Sequence, residues 1–552
     1  MSVQLGDISL DGIRERIQQT SPWNFAVALV ILYGIYRALQ IGRRDKRMPP
    51  GPPTLPLLGN LHQIPITGMY KKFKEWGEEF GGIYSLKLAS STVIVLYDRK
   101  AVHDLVDKKG LLYAERPHSY VNDLVTHGDS LVFQDHHERQ KAKRKIATHN
   151  FSPKILDERV APVQDAEVTV LLNDLVTKPE DFYNHMKRLT SSIACILVYG
   201  QRATSYEDFW GHVRSSLWFG EALEPGANPP VDEFPVLKYL PEFISPWKTR
   251  AKYAGSVMHK IWSEARSRVD ERRRRGDIRT SHGSLADKLL DEYTEKGSPL
   301  SKQELDHFFG LLVEGGAETT SSTMLTLILC LAMNPRVQQK AQKEIDAVCG
   351  TERMPEWSDF ARLPYINCII KEGMRWRPAA PVGIPHRVAA DDFYEGMLIP
   401  KDSTIFIPTW ALHHAERFGY DDPYEFKPER YINHPKLAND YAGGADFSNR
   451  DKSNCSSHHY GYGSGRRMCP GIHLAERTQW RIAAKLLWAF DILPGLDPAT
   501  GKPVKLDPNH YVEGLLHGPA PFKCIFKPRS QTHVDIITRE LAAARRFLAP
   551  YE

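Results

Sequence analysis

The first long hydrophobic segment of the chain lies close to its N-terminus. No charged residue occurs from Trp23 to Tyr36, and the apolar character continues to Ile41 with Arg37 as an interruption. About 19 residues, at a helical rise of about 1.5 Å each, cross a hydrocarbon core of roughly 30 Å. Residues 23–42 are therefore predicted to form a transmembrane anchor.

Basic residues follow this segment and predict its orientation. Arg43, Arg44, Lys46 and Arg47 favour the cytosolic side of a membrane, so the chain downstream should be cytosolic and residues 1–22 lumenal. A cleaved secretory signal is the alternative. It is disfavoured because about 20 residues precede the apolar stretch and no small-residue cleavage site follows it.

Proline and strand patterns come next along the chain. Residues 43–55 are basic and proline-rich, and Met48-Pro49-Pro50-Gly51-Pro52-Pro53 predicts a stiff linker that belongs to neither the anchor nor the globular part. Residues 83–88 and 92–96 carry β-branched and aliphatic side chains on either side of a short polar turn. They predict a hairpin.

Beyond the hairpin the hydrophobic periodicity is mainly helical. Short strand candidates recur at residues 379–387, 404–408 and 521–526. Because no repeat period or long low-complexity linker divides this region, we expect one unit. The prediction is a mainly α domain with a small β region at residues 56–530, followed by a C-terminal extension at 531–552.

The longest helical pattern runs from Lys302 to Met333 and ends before Asn334-Pro335. At 1.5 Å per residue it is roughly 48 Å long, enough to cross a domain. Its centre, Gly315-Gly316-Ala317-Glu318-Thr319-Thr320, puts glycines, an acid and hydroxyls where a buried helix favours apolar side chains. This composition predicts the wall of a functional site. A kink with a threonine bonded to the backbone is the structural alternative.

Composition and charge narrow the function classes only slightly. The 552 residues are 42% hydrophobic and 25% charged, which is typical of a folded protein, and the net charge of +5 gives no reason to expect a nucleic-acid partner. Seven cysteines occur without a CxxC pair, so a disulfide framework is disfavoured and a reducing compartment favoured. They are Cys195, Cys330, Cys349, Cys368, Cys455, Cys469 and Cys524.

One cysteine follows a glycine-rich loop and precedes a helical pattern that runs to about Ala489. The loop reads Tyr462-Gly463-Ser464-Gly465-Arg466-Arg467-Met468-Cys469-Pro470-Gly471. Pro470 is predicted to be the first helical residue, so free N–H groups at the helix N-terminus would stabilise a Cys469 thiolate. A buried structural cysteine is the alternative.

This loop resembles the haem-binding signature FxxGxRxCxG of the cytochrome P-450 superfamily. Gly465, Arg467, Cys469 and Gly471 match it, and Tyr462 replaces the phenylalanine. The resemblance implies the P-450 fold, with Cys469 as the axial ligand of haem iron. A thiolate ligand increases the electron density on the iron and favours O–O cleavage.

Three further segments match motifs of the same family. The resemblance implies that Gly315 and Gly316 open the long helix over the haem, and that Thr319 and Glu318 relay protons to bound oxygen. Glu372 and Arg375 match the ExxR motif. Phe426-Lys427-Pro428-Glu429-Arg430-Tyr431 resembles the PERF segment, so Arg430 would complete a structural network with Glu372 and Arg375.

The resemblance also nominates partners for the haem propionates and for electron transfer. Arg467, His386 and Arg144 would bind the propionates, although Gln140 replaces the tryptophan that many members have four residues before this arginine. The surrounding basic face would dock an acidic electron donor, unless it is simply a solvated helix face. It comprises Lys141, Lys143, Lys145 and Arg466.

Substrate contacts are predicted from position alone, and the segments together imply an apolar pocket. The same residues are ordinary core positions in the alternative interpretation. They are Tyr120, Val121, Leu124, Val132, Phe133, Phe308, Leu312, Val313, Ala379, Pro381, Val382, Val512, Leu515 and Leu516.

The resemblance implies a membrane-anchored monooxygenase that inserts one atom of O₂ into an apolar organic molecule. Its cofactor would be haem b, with NADPH electrons delivered by a separate NADPH-cytochrome P-450 reductase and a contribution from cytochrome b5. The residues within the motifs resemble those of fungal microsomal members that act in secondary metabolism. This resemblance implies a single-pass protein of the endoplasmic reticulum with a cytosolic catalytic domain. Two alternatives stay open: a haem-thiolate isomerase or dehydratase that consumes no O₂, and a non-enzymatic membrane haem protein.

Overall fold

A computed structural model describes residues 22–212, 222–223, 226–277, 283–434, 436–438 and 459–552. The predicted lumenal segment lies outside the described residues except for its last position, and so does Cys455. The other six cysteines are free thiols.

Helices make up most of the described chain, and the α-helices of five residues or more are labelled here. They are α1 (Pro22–Gln40), α2 (Met69–Phe80), α3 (Tyr120–Thr126), α4 (Glu138–Asn150), α5 (Ala161–Thr177), α6 (Phe182–Tyr199), α7 (Pro246–Arg274), α8 (Leu285–Lys296), α9 (Lys302–Met333), α10 (Pro335–Cys349), α11 (Pro364–Trp376), α12 (Thr409–His413), α13 (Ile472–Ala489) and α14 (Gln531–Leu548). Shorter helices occur at Arg99–Ala101, Pro153–Ile155 and Phe209–His212, and π-helices at Val102–Lys108 and Leu156–Val160.

Short strands form one four-stranded sheet and three pairs. The strands are β1 (Ile83–Leu88), β2 (Ser91–Leu96), β3 (His386–Arg387), β4 (Asp392–Tyr394), β5 (Met397–Ile399), β6 (Thr404–Phe406), β7 (Phe490–Pro494), β8 (Tyr511–Val512), β9 (Gly518–Pro519) and β10 (Cys524–Pro528). The larger sheet has the order β1-β2-β6-β3, with β2 and β6 parallel and the other neighbours antiparallel. The pairs are β7 with β10, β4 with β5, and β8 with β9.

The mainly α architecture, the hairpin and the long helix agree with the sequence predictions. In the hairpin, Ile83 pairs with Leu96. Helix α9 begins with a capping box, in which the Ser301 hydroxyl accepts from Glu304 N–H and the Glu304 carboxylate accepts from Ser301 N–H. The strand predicted at residues 379–387 shortens to β3. Strands β4, β5, β7, β8 and β9 were not predicted.

Helix α1 has the length and composition of a membrane span. Its 18-residue window Trp23–Gln40 has a mean hydropathy of 1.2, and none of that window is buried by the rest of the chain. A helix packed into a protein core would bury at least one face, so this exposure fits an anchor.

The proline-rich segment differs from its prediction as a free spacer, because it packs along the edge of β1. The Ser85 N–H donates to the carbonyl of Pro50 at 2.7 Å, and the Ser85 hydroxyl donates to the carbonyl of Pro49 at 2.6 Å. The Arg44 guanidinium donates to the carbonyls of Gly51, Pro52 and Ser85. Proline lacks an N–H donor but keeps its carbonyl, so it can satisfy the donors of an edge strand.

The main hydrophobic core lies where α9, α11 and α13 pack together, with fully or nearly fully buried residues such as Ile328, Ile369 and Leu487. Residues 531–552 are integral to the fold, since α14 packs on α5. Arg202 links this end of the chain to the interior. Its side chain pairs with the buried Glu167 at 2.8 Å and with Glu552.

Candidate functional site

The loop that carries Cys469 is a tight turn held by its own backbone. The Cys469 N–H donates to the carbonyl of Tyr462 at 2.9 Å, and Gly463 has a φ of +77°. Helix α13 starts at Ile472, so Pro470 lies in the turn before it and the prediction that it is the first helical residue was wrong. The turn still directs the N–H of Gly471 at the thiol sulfur.

Asp107 connects the cysteine loop to the π-helix Val102–Lys108, a contact that the sequence did not predict. Its Oδ1 accepts from the Ser464 hydroxyl at 2.8 Å and from the Gly465 N–H at 2.9 Å. These partners are more than 350 residues apart in sequence, so no local pattern indicates the pairing. The carboxylate therefore positions the loop from outside its own segment.

We expect Gly465→Ala to lower the free energy of unfolding by about 3 kcal/mol, because the new methyl group meets backbone at a position that L residues disfavour. Gly465 has a φ of +62°, and an added Cβ would lie 2.5 Å from the carbonyl oxygen of Val106. Gly276→Ala is the control, because its φ is +72° with no atom within 4 Å of an added Cβ, so strain alone should cost about 1 kcal/mol. Equal losses in denaturant unfolding of the two variants would contradict the close contact.

The surroundings of the Cys469 thiol both oppose and favour its ionisation. Burial raises the pKa of the thiol, whereas the Gly471 N–H and the Arg144 charge lower it and Glu476 raises it. Arg144 donates from Nη2 to the carbonyl of Met468 at 2.6 Å, beside the cysteine. Without a further cation the thiol therefore stays protonated, and a bound metal cation would supply the missing charge.

Three arginines lie together next to the cysteine loop. Arg467 donates to the carbonyls of Ala114, at 2.7 Å, and Gln134. Burial and the neighbouring Arg144 lower its pKa to about 10. Arg116, which the sequence did not nominate, is buried, and burial with the charges of Arg467 and Arg144 places its pKa well below the usual range.

His386 belongs to the same cationic cluster, which we define as Arg116, Arg144, His386 and Arg467. Its Nδ1 donates to the carbonyl of Tyr113 at 2.8 Å. Burial and the charges of Arg116 and Arg467 lower its pKa to about 3, so it is a neutral donor at physiological pH. Within the described residues, the arginines of the cluster bond to main-chain carbonyls and form no ion pair. Buried cations without counter-charges favour binding of an anion.

Gln140 supplies a further donor one helical turn before Arg144. The side chain is fully buried, and its Nε2 has no hydrogen-bond partner in the part of the chain that the structure describes. An unpaired buried amide N–H costs about 1–3 kcal/mol. Gln140 is thus placed to donate to the same anion as the cationic cluster.

The centre of α9 is more open than the turns on either side of it. Gly315 is exposed although Val313 and Ala317 are fully buried, and a Cβ added to Gly315 would meet no atom within 4 Å. The helix is continuous here, contrary to the predicted opening, and the Thr319 hydroxyl donates to the carbonyl of Gly315 at 2.7 Å. Glu318 is half-buried. Space for a ligand therefore arises from missing side chains rather than from a broken helix.

The structure brings Glu372, Arg375 and Arg430 together, as the motifs suggested. Glu372 and Arg375 are fully buried and share two hydrogen bonds of 2.7 and 2.8 Å, while Arg430 Nε lies 3.4 Å from Glu372 Oε1. The carbonyls of His413 and Pro423 accept from the remaining Arg375 nitrogen. The network joins α11 to the segments that precede the cysteine loop.

Comparison with known proteins identifies the family. The family model described as Cytochrome P450 matches residues 49–526. The chain belongs to the cytochrome P450 family. It is 39% identical to cytochrome P450 monooxygenase macC of Penicillium terrestre over 531 residues, 94% of this chain and 96% of that protein. Identity to the monooxygenase acuD of Aspergillus aculeatus is 40% over 526 residues (95% and 96%), and to patI of Aspergillus clavatus 39% over 525 residues (95% and 96%).

Membership in the family confirms the resemblance drawn from the motifs, and this cytochrome P450 is a haem-dependent monooxygenase. The family implies a haem, O₂ and electrons from a reductase. Features of the described residues fit such a group: a cysteine thiol beside a positive charge, the cationic cluster with the Gln140 donor for an anionic edge, and open space at Gly315.

The predicted basic face of this cytochrome P450 needs one correction. Lys143 is fully buried, and its Nζ contacts Gln134 Oε1 at 3.3 Å, so it cannot contact a docked protein. Burial accordingly lowers its pKa. Lys141, Lys145 and Arg466 are exposed.

The predicted substrate contacts of the P450 fall into separate groups. Tyr120, Val121, Leu124, Phe133 and Leu515 pack in one hydrophobic cluster, whereas Phe308, Leu312 and Val313 belong to a second cluster and Val382 packs on a third. Val512 is 61% exposed and is removed from the proposed wall. Pro381 is buried. Ala379, Val132 and Leu516 lie at partly or largely accessible positions.

Proposed function

We propose that this cytochrome P450 inserts one atom of O₂ into an apolar small molecule of secondary metabolism, using haem b bound through the Cys469 thiolate. The observation that carries the proposal is the cationic cluster, whose buried charges adjoin the cysteine and find no counter-ion among the described residues. Arg116, Arg144 and Arg467, with His386 and Gln140 as neutral donors, would hold the two propionates. Gly465 and Gly471, which carry no side chain, would let the loop backbone approach the bound group closely.

When bound, haem with a thiolate ligand supplies the capacity to cleave O₂ and transfer one oxygen atom. Thr319 and Glu318, both on helix α9, would provide protons for the reaction. The Thr319 hydroxyl, held by Gly315, presents its oxygen as an acceptor for an incoming proton. Glu318 precedes it directly on the same helix and is half-buried, so its carboxyl group can reach water. The apolar clusters around Tyr120 and Phe308 would enclose the substrate.

Electrons would come from NADPH through a separate NADPH-cytochrome P-450 reductase, with cytochrome b5 as a second donor. The exposed Lys141, Lys145 and Arg466 lie on the cysteine side and suit an acidic partner. Helix α1 and the basic residues after it support a single-pass protein of the endoplasmic reticulum with a cytosolic catalytic domain. On this topology residues 1–22 are lumenal.

Thr319→Ala is expected to lower the product formed per NADPH consumed about tenfold, because it removes a hydroxyl that would relay protons at the site. The matched control is Thr323→Ala, one turn later, since Thr323 makes the same type of bond to the carbonyl of Thr319 at 2.8 Å. Equal coupling in both variants would exclude a specific role for Thr319. NADPH oxidation and product are measured together in the reconstituted system.

The reaction class is tested by expressing the protein with a reductase in a host fed terpenoid, polyketide and peptide-derived scaffolds under ¹⁸O₂. A product that is heavier by one ¹⁸O atom is the expected result. Products without ¹⁸O would instead indicate the isomerase or dehydratase alternative. If no scaffold gives a product although the reduced carbon monoxide complex shows the absorption typical of a thiolate ligand, the result would indicate a non-catalytic haem protein.

A further inference from the structure

Helices α6, α7 and α9 bury an unusual group of polar atoms that make no hydrogen bonds among the described residues. Tyr199 Oη, His259 Nδ1, Arg266 Nη1, Asp306 Oδ1 and both ring nitrogens of His307 lack hydrogen bonds from the described chain. Leaving one buried polar group unpaired costs about 1–3 kcal/mol. Such a concentration in one interface is consistent with bridging by internal water. The described residues include no group of three or more His, Cys, Asp or Glu suited to a metal ion.

The outer end of this group reaches the surface through α7. The Asp270 side chain is 39% exposed and lies 3.3 Å from Arg266 Nε, and Arg266 Nη1 lies 3.8 Å from Asp306 Oδ1. The Ser263 hydroxyl donates to Asp306 Oδ2 at 3.3 Å. Asp306 itself is almost fully buried. A continuous polar path thus leads from solvent to a carboxyl on α9.

Asp306 titrates closer to neutral pH than an ordinary carboxyl group, whereas His307 is neutral there. Burial raises the pKa of Asp306 to about 6, and the charge of Asp270 adds to this increase. The charges of Arg266 and Lys302 and the hydrogen bond from the Ser263 hydroxyl lower the pKa but do not cancel the increase. Burial lowers the pKa of His307 to about 4. The charged or titratable groups facing His307 are His259, His127 and Lys143.

Tyr199 connects this end with the centre of α9. Burial raises the pKa of its phenol, and the nearby Cys195, Asp306 and Glu314 raise it further. Asp306 and Glu314 are eight residues apart, roughly 12 Å along a helix, so they need an intermediate group. Glu314 is buried and lies one turn before Glu318 on the same face. The phenol on α6 is close enough to interact electrostatically with both carboxyls.

We propose that Asp306, Tyr199 and Glu314 form a buried, hydrated relay that carries protons from the α7 surface to Glu318 and Thr319. The inference rests on the proposed monooxygenase function, in which RH + O₂ + NADPH + H⁺ gives ROH + H₂O + NADP⁺. The two electrons of the NADPH hydride arrive through the separate reductase, which releases the hydride's proton to solvent. Both protons that the departing oxygen atom takes to become water therefore reach the site from solvent, and one of them replaces the proton that NADPH released. Each relay group accepts a proton on the solvent side and releases one on the inner side, so none is consumed.

The test compares Tyr199→Phe and Asp306→Asn with Tyr97→Phe in the full chain reconstituted with reductase. Tyr97 is also a fully buried phenol whose oxygen lacks a partner among the described residues, but it lies in another cluster. Both relay variants should form about tenfold less product per NADPH, release more hydrogen peroxide and show a larger solvent isotope effect. Asp306→Glu should restore coupling, and Tyr97→Phe should match the parent.

Measurements without turnover separate a relay from a structural role. Infrared spectra of the purified protein should show a carboxyl that titrates near pH 6 and is missing in Asp306→Asn. Thermal unfolding and the carbon monoxide spectrum should stay close to the parent. Parent-like coupling and isotope effects in both relay variants would overturn the relay while an ¹⁸O-labelled parent product upholds the proposed function. An unlabelled parent product would instead overturn the proposed function and the relay with it.

Discussion

Cys469→Ala is expected to remove the thiolate-specific absorption of the reduced carbon monoxide complex and to lower turnover by at least about a hundredfold. The reason is that alanine provides no atom to bind iron, and even the loss of groups around a metal ligand costs about 10–100-fold. The thiol is the group in this loop that Arg144 and the Gly471 N–H stabilise as an anion. The measurement is the difference spectrum together with product formation.

Cys524→Ala is the matched control, because Cys524 is another partly accessible free thiol whose sulfur contacts the carbonyl of Leu493 at 3.1 Å. It lies in β10, where burial raises the pKa of its thiol and no charge among the described residues offsets that rise. We expect a parent-like spectrum from this variant. If Cys469→Ala keeps the thiolate-specific absorption of the reduced carbon monoxide complex, Cys469 is not the iron ligand.

Glu372→Ala is expected to lower the free energy of unfolding by about 3–5 kcal/mol, because it leaves the Arg375 charge buried without its counter-charge. Burial lowers the pKa of Arg375, but the charge and hydrogen bonds of Glu372 raise the pKa of this arginine above its ordinary value. A domain stability of about 5–15 kcal/mol makes this a large fraction of the total. Denaturant unfolding of the purified protein measures the change.

The exposed pair Lys72–Glu75 provides the control, since it has the same three-residue spacing and a 2.7 Å contact. Glu75→Ala should cost less than about 1 kcal/mol because water screens the pair. Glu372→Gln, which keeps a hydrogen-bond acceptor, should fall between the two and remains measurable if Glu372→Ala does not fold. Similar losses for Glu372→Ala and Glu75→Ala would show that burial of the network is not decisive.

The parts of the fold that the sequence predicted are those set by local patterns. Helix α9 follows a continuous 32-residue helical pattern with a capping box at one end and Asn334-Pro335 at the other. The β1–β2 hairpin follows two apolar runs around a short turn. Strands such as β8 and β9 pair over two residues each, and their partners are set by packing rather than by hydrophobic period.

In the candidate site, too, the sequence predicted what depends on local patterns and missed contacts between distant segments. Motif spacing indicated Cys469 and the Glu372 network, because their chemistry depends on neighbours within a few residues. Arg116 and Asp107 were missed, since their contacts join segments about 270 and 360 residues apart. Lys143 was misassigned because a charge pattern shows composition but does not show that Gln134 and the carbonyl of Asp129 cover the ammonium group.

The packing of Pro49 and Pro50 on β1 determines where a soluble version of the enzyme can begin. Removal of residues up to about 42 would delete the anchor while keeping Arg44 and the carbonyls that meet Ser85. Removal of the whole segment to residue 55 would uncover an edge strand, which can then pair with a second molecule. The longer deletion should consequently yield self-associating protein at concentrations where the shorter one stays monomeric.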